Sequence, residues 1–100
     1  TLVMGGEWDD LTPVDPLVRA IYDSMTQENR NFSVLEGAGH YSFTNACELV
    51  DYEDCEEPFL AIEEAHSAIN TTVTAYLEQQ RGTAGMDEYL PLDGLPLVWE

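Results

Sequence analysis

Two short apolar runs, Leu2-Val3-Met4 and Phe32-Ser33-Val34-Leu35, each end in a glycine turn, at Gly5-Gly6 and at Gly37-Ala38-Gly39. Between them Val14, Leu17, Val18, Ile21, Tyr22 and Met25 recur at spacings of three and four, the signature of one amphipathic helix. A strand–helix–strand unit of about 35 residues has the length of a right-handed parallel crossover. The expected fold class is therefore α/β, with two parallel strands whose carboxyl ends lie at one edge. That edge is where open α/β sheets place their chemistry.

The remaining elements follow from the same signals. Residues 1–6 read as a buried strand and 7–13 as the loop after it. Pro13 and Pro16 suit the first turn of the helix, which is expected to end near Glu28–Arg30. Residues 44–58 read as an acidic loop. Pro58 opens a second helix, with Ile62, Ala65, Ile69, Val73, Tyr76 and Leu77 as its apolar face and Gly82 as its stop. Residues 83–100 read as a tail with a short turn at Met86–Leu90 and a final apolar run, Leu95-Pro96-Leu97-Val98-Trp99. Two parallel strands need neighbours and cover on both faces. An unpaired first strand is also an aggregation hazard. The organisation thus points to further strands before Thr1.

Charge narrows the partners. Among 100 residues there are 20 acidic ones against three arginines (Arg19, Arg30, Arg81) and no lysine, for a net charge of −17. Such a chain is a poor partner for nucleic acid or an anionic membrane, and better suited to a neutral or cationic substrate. An acidic solvated surface and an origin in a high-salt setting, where screening relieves self-repulsion, both account for it. No apolar run is long enough to span a membrane. Cys47 and Cys55 flank an acidic segment, and a bridge or two unpaired thiols both fit that separation.

The two turns deliver Asp9 and His40 to the same sheet edge. A carboxylate that fixes the tautomer of a histidine, and a histidine that moves protons, are two members of a Ser-His-Asp hydrolase. Read alone, Asp9 is equally a cap or turn residue and His40 an ordinary loop histidine. Asp10 can cap the coming turn, and Thr12 is a candidate helix N-cap. His66, beside Ala65 and Ile69, reads as structural. The nucleophile has no candidate here. No G-x-S-x-G occurs, Ser42 lies too close to His40 in sequence, and Ser24, Ser33, Ser67 and Cys47 lack the strand-to-helix elbow. Asp51, Glu53, Asp54, Glu56 and Glu57 are dense, but they lack the central glycine of a calcium loop and read as a solvated acidic segment, so no metal is expected. Trp8 and Tyr41 flank the dyad and are candidates to line a substrate pocket.

The motif Gly6-Glu7-Trp8-Asp9-x-x-Thr12-Pro13, followed by Gly37-Ala38-Gly39-His40-Tyr41-Ser42-Phe43, resembles the carboxyl-terminal third of an α/β-hydrolase. Within that fold it is similar to the bacterial predicted dienelactone hydrolases, which are related to platelet-activating-factor acetylhydrolase-like and polyester-hydrolase-like esterases. The likeness continues through Thr44-Asn45-Ala46-Cys47-Glu48-Leu49, Glu63-Glu64-Ala65-His66 with Ile69-Asn70, and Tyr89-Leu90. It implies a cofactor-free, metal-free Ser-His-Asp carboxylester hydrolase with Asp9 as acid and His40 as base. Residues 1–82 would then be the carboxyl-terminal portion of the hydrolase domain, and 83–100 a tail packing on it.

On that resemblance the partners are a small-molecule ester and the amino-terminal remainder of the domain, which would supply the serine and the oxyanion hole. Because many such proteins are exported, the resemblance also implies a Cys47–Cys55 bridge and a periplasmic or secreted location. The alternative expectation is a non-catalytic acidic interaction module, derived from a hydrolase, whose open first strand pairs with a partner sheet.

Overall fold

The computed structural model describes residues 1–26, 30–82 and 94–99. Strand β1 (Leu2–Gly6) is followed by helix α1 (Arg19–Ser24), strand β2 (Asn31–Leu35), helix α2 (Ile62–Gln80) and strand β3 (Leu97–Trp99). β1 and β2 pair in parallel from Leu2 against Asn31 to Gly6 against Leu35. β3 adds to the other side of β2, antiparallel, with Ser33 opposite Trp99 and Leu35 opposite Leu97. The α/β class and the parallel crossover stand, but among the described residues the sheet is mixed and has three strands rather than two. The third comes from the apolar run of the tail, so residues 97–99 belong to the sheet itself. The turn expected at Met86–Leu90 lies outside the described residues.

The first helix is shorter than its periodicity suggests. Pro13 and Pro16 do not start a regular helix. Asp15 is extended (φ −110°, ψ 125°), and the chain instead makes a wide turn in which Val18 N–H reaches back to Pro13 O at 3.2 Å. That break takes Val14 and Leu17 out of phase with the helix, and Leu17 and Ile21 are 48% and 56% exposed. The helix stops where Met25 turns extended. Arg30 is not its last residue. Arg30 lies just before β2 and donates from Nη1 to the carbonyls of Tyr22 and Met25, 2.7 and 2.6 Å away. A cation there satisfies otherwise orphaned helix-end acceptors.

The second helix begins at Ile62 rather than at Pro58 and stops at Gly82, which takes φ +71°. Its buried stripe is Ala65, Ala68, Thr72 and Ala75, whereas Val73 and Leu77 face outward. Small side chains at spacings of three and four let the helix approach closely. Ala65 and Ala68 join Leu35 and Ala38 in the core, with Phe43, Leu60, Ile69 and Leu97 packed around them.

The glycine that closes β1 is required by packing. A Cβ on Gly6 would lie 2.7 Å from the carbonyl oxygen of Ala38, which is backbone and cannot swing away. Gly6→Ala is expected to destabilise the fold by about 1–3 kcal/mol, as overpacking does. Urea unfolding of the variant against the parent measures it.

Candidate active site

The parallel ladder continues past its regular end. Glu7 N–H donates to Leu35 O at 3.0 Å and Trp8 N–H to Ala38 O at 2.9 Å, while the Glu7 carboxylate accepts Gly37 N–H at 2.9 Å. Gly37 sits at φ +70°, a conformation that favours glycine. These bonds stitch the loop after β1 to the loop after β2. They bring Asp9 and His40, 31 positions apart, to a 3.1 Å hydrogen bond between Oδ2 and Nδ1.

Asp9 is 7% exposed, and every hydrogen bond it makes stabilises its anion. Oδ1 accepts the N–H groups of Leu11 and Thr12 at 2.9 and 2.8 Å. Oδ2 accepts the Thr12 hydroxyl at 2.7 Å and His40 Nδ1–H at 3.1 Å. Burial pushes the carboxyl up, but the bonds from Thr12, His40 and Leu11 more than offset it and hold Asp9 below its ordinary value. Asp9 is thus a turn-forming residue and the partner of His40 at once.

The tautomer of His40 follows from these contacts. A carboxylate oxygen 3.1 Å from Nδ1 requires the proton on Nδ1, because two lone pairs would otherwise face each other. Thr12 Oγ1, 3.3 Å from Nδ1, is a second acceptor for the same proton while its own hydroxyl proton goes to Asp9. Nε2 is then a free base with no hydrogen-bond partner among the described residues, on a side chain 36% exposed. Thr12 does not cap the helix: Pro13 occupies the position before the wide turn, and no side chain caps it. Its hydroxyl instead makes the dyad a three-residue cluster.

A cleft of about 230 Å³ opens on the dyad, lined also by Met4, Gly5, Gly6, Val18 and Phe43. Trp8 and Tyr41 do not line it. Trp8 packs edge-on against Phe59, and Tyr41 stacks on Tyr52 with its edge to His40. The apolar wall beside the dyad therefore comes from β1, the turn before α1 and Phe43 of the His40 turn. A larger cleft, about 820 Å³, lies between the 47–58 segment and the start of α2. Its walls carry Glu48, Asp51, Glu56, Glu57, Glu63 and Glu64 but neither dyad residue, so it is not the candidate site. A hydrogen bond with Asp51 pushes the exposed Glu56 carboxyl up.

Ser42 is fully buried and accepts Gly39 N–H at 3.0 Å, a structural role. His66 donates from Nε2 to Thr44 O at 2.9 Å, tying α2 to the segment after His40. Cys47 and Cys55 are joined as a disulfide, with Cα atoms 5.7 Å apart. Among the described residues no group of His, Cys, Asp and Glu side chains is arranged to hold a metal ion, and no helix is long and apolar enough to cross a membrane. Comparison with protein-family models, with curated proteins and with solved structures finds no match to this chain.

Two outcomes are expected. Thr12→Val removes one hydroxyl bond to the Asp9 anion and should cost about 1–2 kcal/mol in urea unfolding, with Thr12→Ser close to the parent. The folded value of Asp9 is depressed, so its contribution to stability is present above the unfolded carboxyl value of about 3.9 and fades as pH falls through the folded one. The stability gap between the parent and Asp9→Asn should therefore be full at neutral pH and close on acidification below about pH 4. Unfolding curves of both at stepped pH measure it.

Proposed function

We propose that Asp9 and His40 are the acid and base of a Ser-His-Asp carboxylester hydrolase of the α/β-hydrolase type, whose serine and oxyanion-hole donors lie outside these 100 residues. The observation that carries this reading is the hydrogen bond from His40 Nδ1 to a buried, anionic Asp9, which leaves Nε2 free at a cleft. The parallel crossover supports it, because it places both residues at the carboxyl edge of the sheet.

In this mechanism Nε2 of His40 takes the proton of the attacking serine as its oxygen adds to the ester carbonyl. The imidazolium then gives that proton to the leaving alcohol, and water releases the acyl group by the same exchange. Asp9 stays ionised throughout. It holds the Nδ1–H tautomer and offsets the charge on the imidazolium, and Thr12 keeps it in place. Met4, Val18 and Phe43 suit an uncharged, partly apolar ester, and the strongly anionic chain disfavours an anionic one. The Cys47–Cys55 bridge supports an oxidising, periplasmic or secreted setting.

The test is hydrolysis of p-nitrophenyl acetate and butyrate by this chain and by the chain extended upstream through a G-x-S-x-G segment. Activity is expected in the extended form alone, and His40→Ala should lower kcat about 10⁴-fold or more. An upstream sequence without an elbow serine, or full activity in the His40 variant, overturns the reading.

A further inference from the structure

His40 stands on a single short turn, His40–Phe43, rather than on a helix or strand. Inside that turn the restraints are few. Gly39 N–H bonds Ser42 Oγ, Ser42 N–H bonds Gly39 O, and Thr44 N–H bonds Tyr41 O. From outside, Phe43 packs against the core and His66 on α2 bonds Thr44 O, both beyond His40 along the chain, whereas next to His40 itself the hold comes from the disulfide-closed segment 47–55. Asp54 Oδ2 accepts the N–H of Tyr41, next to His40, at 2.8 Å. A Cβ on Gly39 would come within 2.3–2.6 Å of the Asp54 carboxyl atoms, so the absent side chain at 39 is the space this carboxylate fills. Tyr52 stacks on Tyr41 with centroids 3.9 Å apart and planes 10° apart, and Tyr41 meets the His40 ring edge-on at 5.2 Å.

The sequence reads Asp51, Glu53, Asp54, Glu56 and Glu57 as one solvated acidic run. Four of them are exposed; Asp54 is partly buried and turned inward. It is held there from both sides. Cys55, the next residue, is bonded to Cys47, and Cys55 N–H closes the local turn on Tyr52 O at 3.0 Å. A carboxylate accepting a backbone N–H at the start of a turn is a charge-assisted bond, among the stronger ones available.

We propose that the Cys47–Cys55 loop is a positioning device for His40, with Asp54 as the positioning residue and Tyr52 as its apolar support. The proposal rests on the reading of Asp9 and His40 as a catalytic pair. A proton-transfer base displaced by about 1 Å can lose about 10²-fold in rate, so a base at the first position of a short turn needs its backbone held. Asp54 touches no reacting atom. It acts by fixing the backbone from which the imidazole reaches Asp9.

The test reads the imidazole itself and needs no nucleophile. The chain has two histidines, so ring-nitrogen NMR at about pH 9, well above the ordinary imidazole value, reads the neutral tautomer of both, with His40→Ala giving the assignment. In the parent His40 is expected as the Nδ1–H tautomer and His66 as Nε2–H, bonded to Thr44 O. Asp54→Ala and the double variant Cys47→Ser/Cys55→Ser are expected to return His40 to a mainly Nε2–H mixture, with His66 unchanged. Asp54→Asn keeps an oxygen for Tyr41 N–H and is expected to keep the Nδ1–H form. Tyr52→Leu should act in the direction of Asp54→Ala, and decides the matter if that variant does not fold. If His40 stays Nδ1–H in Asp54→Ala, or if His66 changes alongside it, the positioning role is overturned while the dyad stands. If His40 is not Nδ1–H in the parent, the dyad fails first and the positioning role with it.

Discussion

The parallel pairing of β1 with β2 is the constraint on which the rest of this structure depends. Its register sets Gly6 opposite Leu35, and the two loops then leave the sheet side by side. Because the ladder persists through Glu7 and Trp8, the loops stay stitched as they turn. Asp9 and His40 meet at that seam. A slip of one residue would send each to the other face. The tight passage of Gly6 under the Ala38 carbonyl leaves little room for one.

From the seam outward, the site is built by satisfying polar groups rather than by enclosing a cavity. Asp9 accepts four hydrogen bonds, about the full capacity of a carboxylate. Three come from its own turn and one from His40. This explains how an acid can be buried in a chain of net charge −17 and still remain ionised. The surrounding negative charge disfavours another anion, but local donors act at hydrogen-bond distance whereas distant carboxylates are screened.

Much of this was legible in the sequence. The two strands announced themselves as apolar runs closed by glycines, and Gly82 marked the end of α2. Asp9 and His40 stood out because both followed such a run. What escaped detection did so for physical reasons. β3 is three residues long and is preceded by Pro96, so it carries no alternation to read. The buried face of α2 is mostly alanine, whose burial removes little apolar area from water, so the larger but exposed Val73 and Leu77 dominate the sequence pattern. Thr12 reads as a cap because it directly precedes Pro13, and a hydroxyl's partner cannot be read from spacing. Asp54 was hidden in an acidic run. The signal that could have singled it out was Gly39, a glycine whose φ is negative and whose missing side chain is explained only by what packs against it.

β2 is the interior strand of the sheet, and its two partners reach it across unequal lengths of chain. β1 is joined to it by roughly thirty residues and β3 by roughly sixty, counted between paired positions. Doubling a flexible connection adds only about 0.6 kcal/mol of closure entropy. The longer closure therefore weighs little on equilibrium stability. It weighs more on the order of events, since distant contacts form late. The strand that leads to His40 acquires its first neighbour from a local crossover and its second from far along the chain. Asp9 and His40 can thus be brought together before the sheet is complete, and the late strand then fixes an arrangement already made.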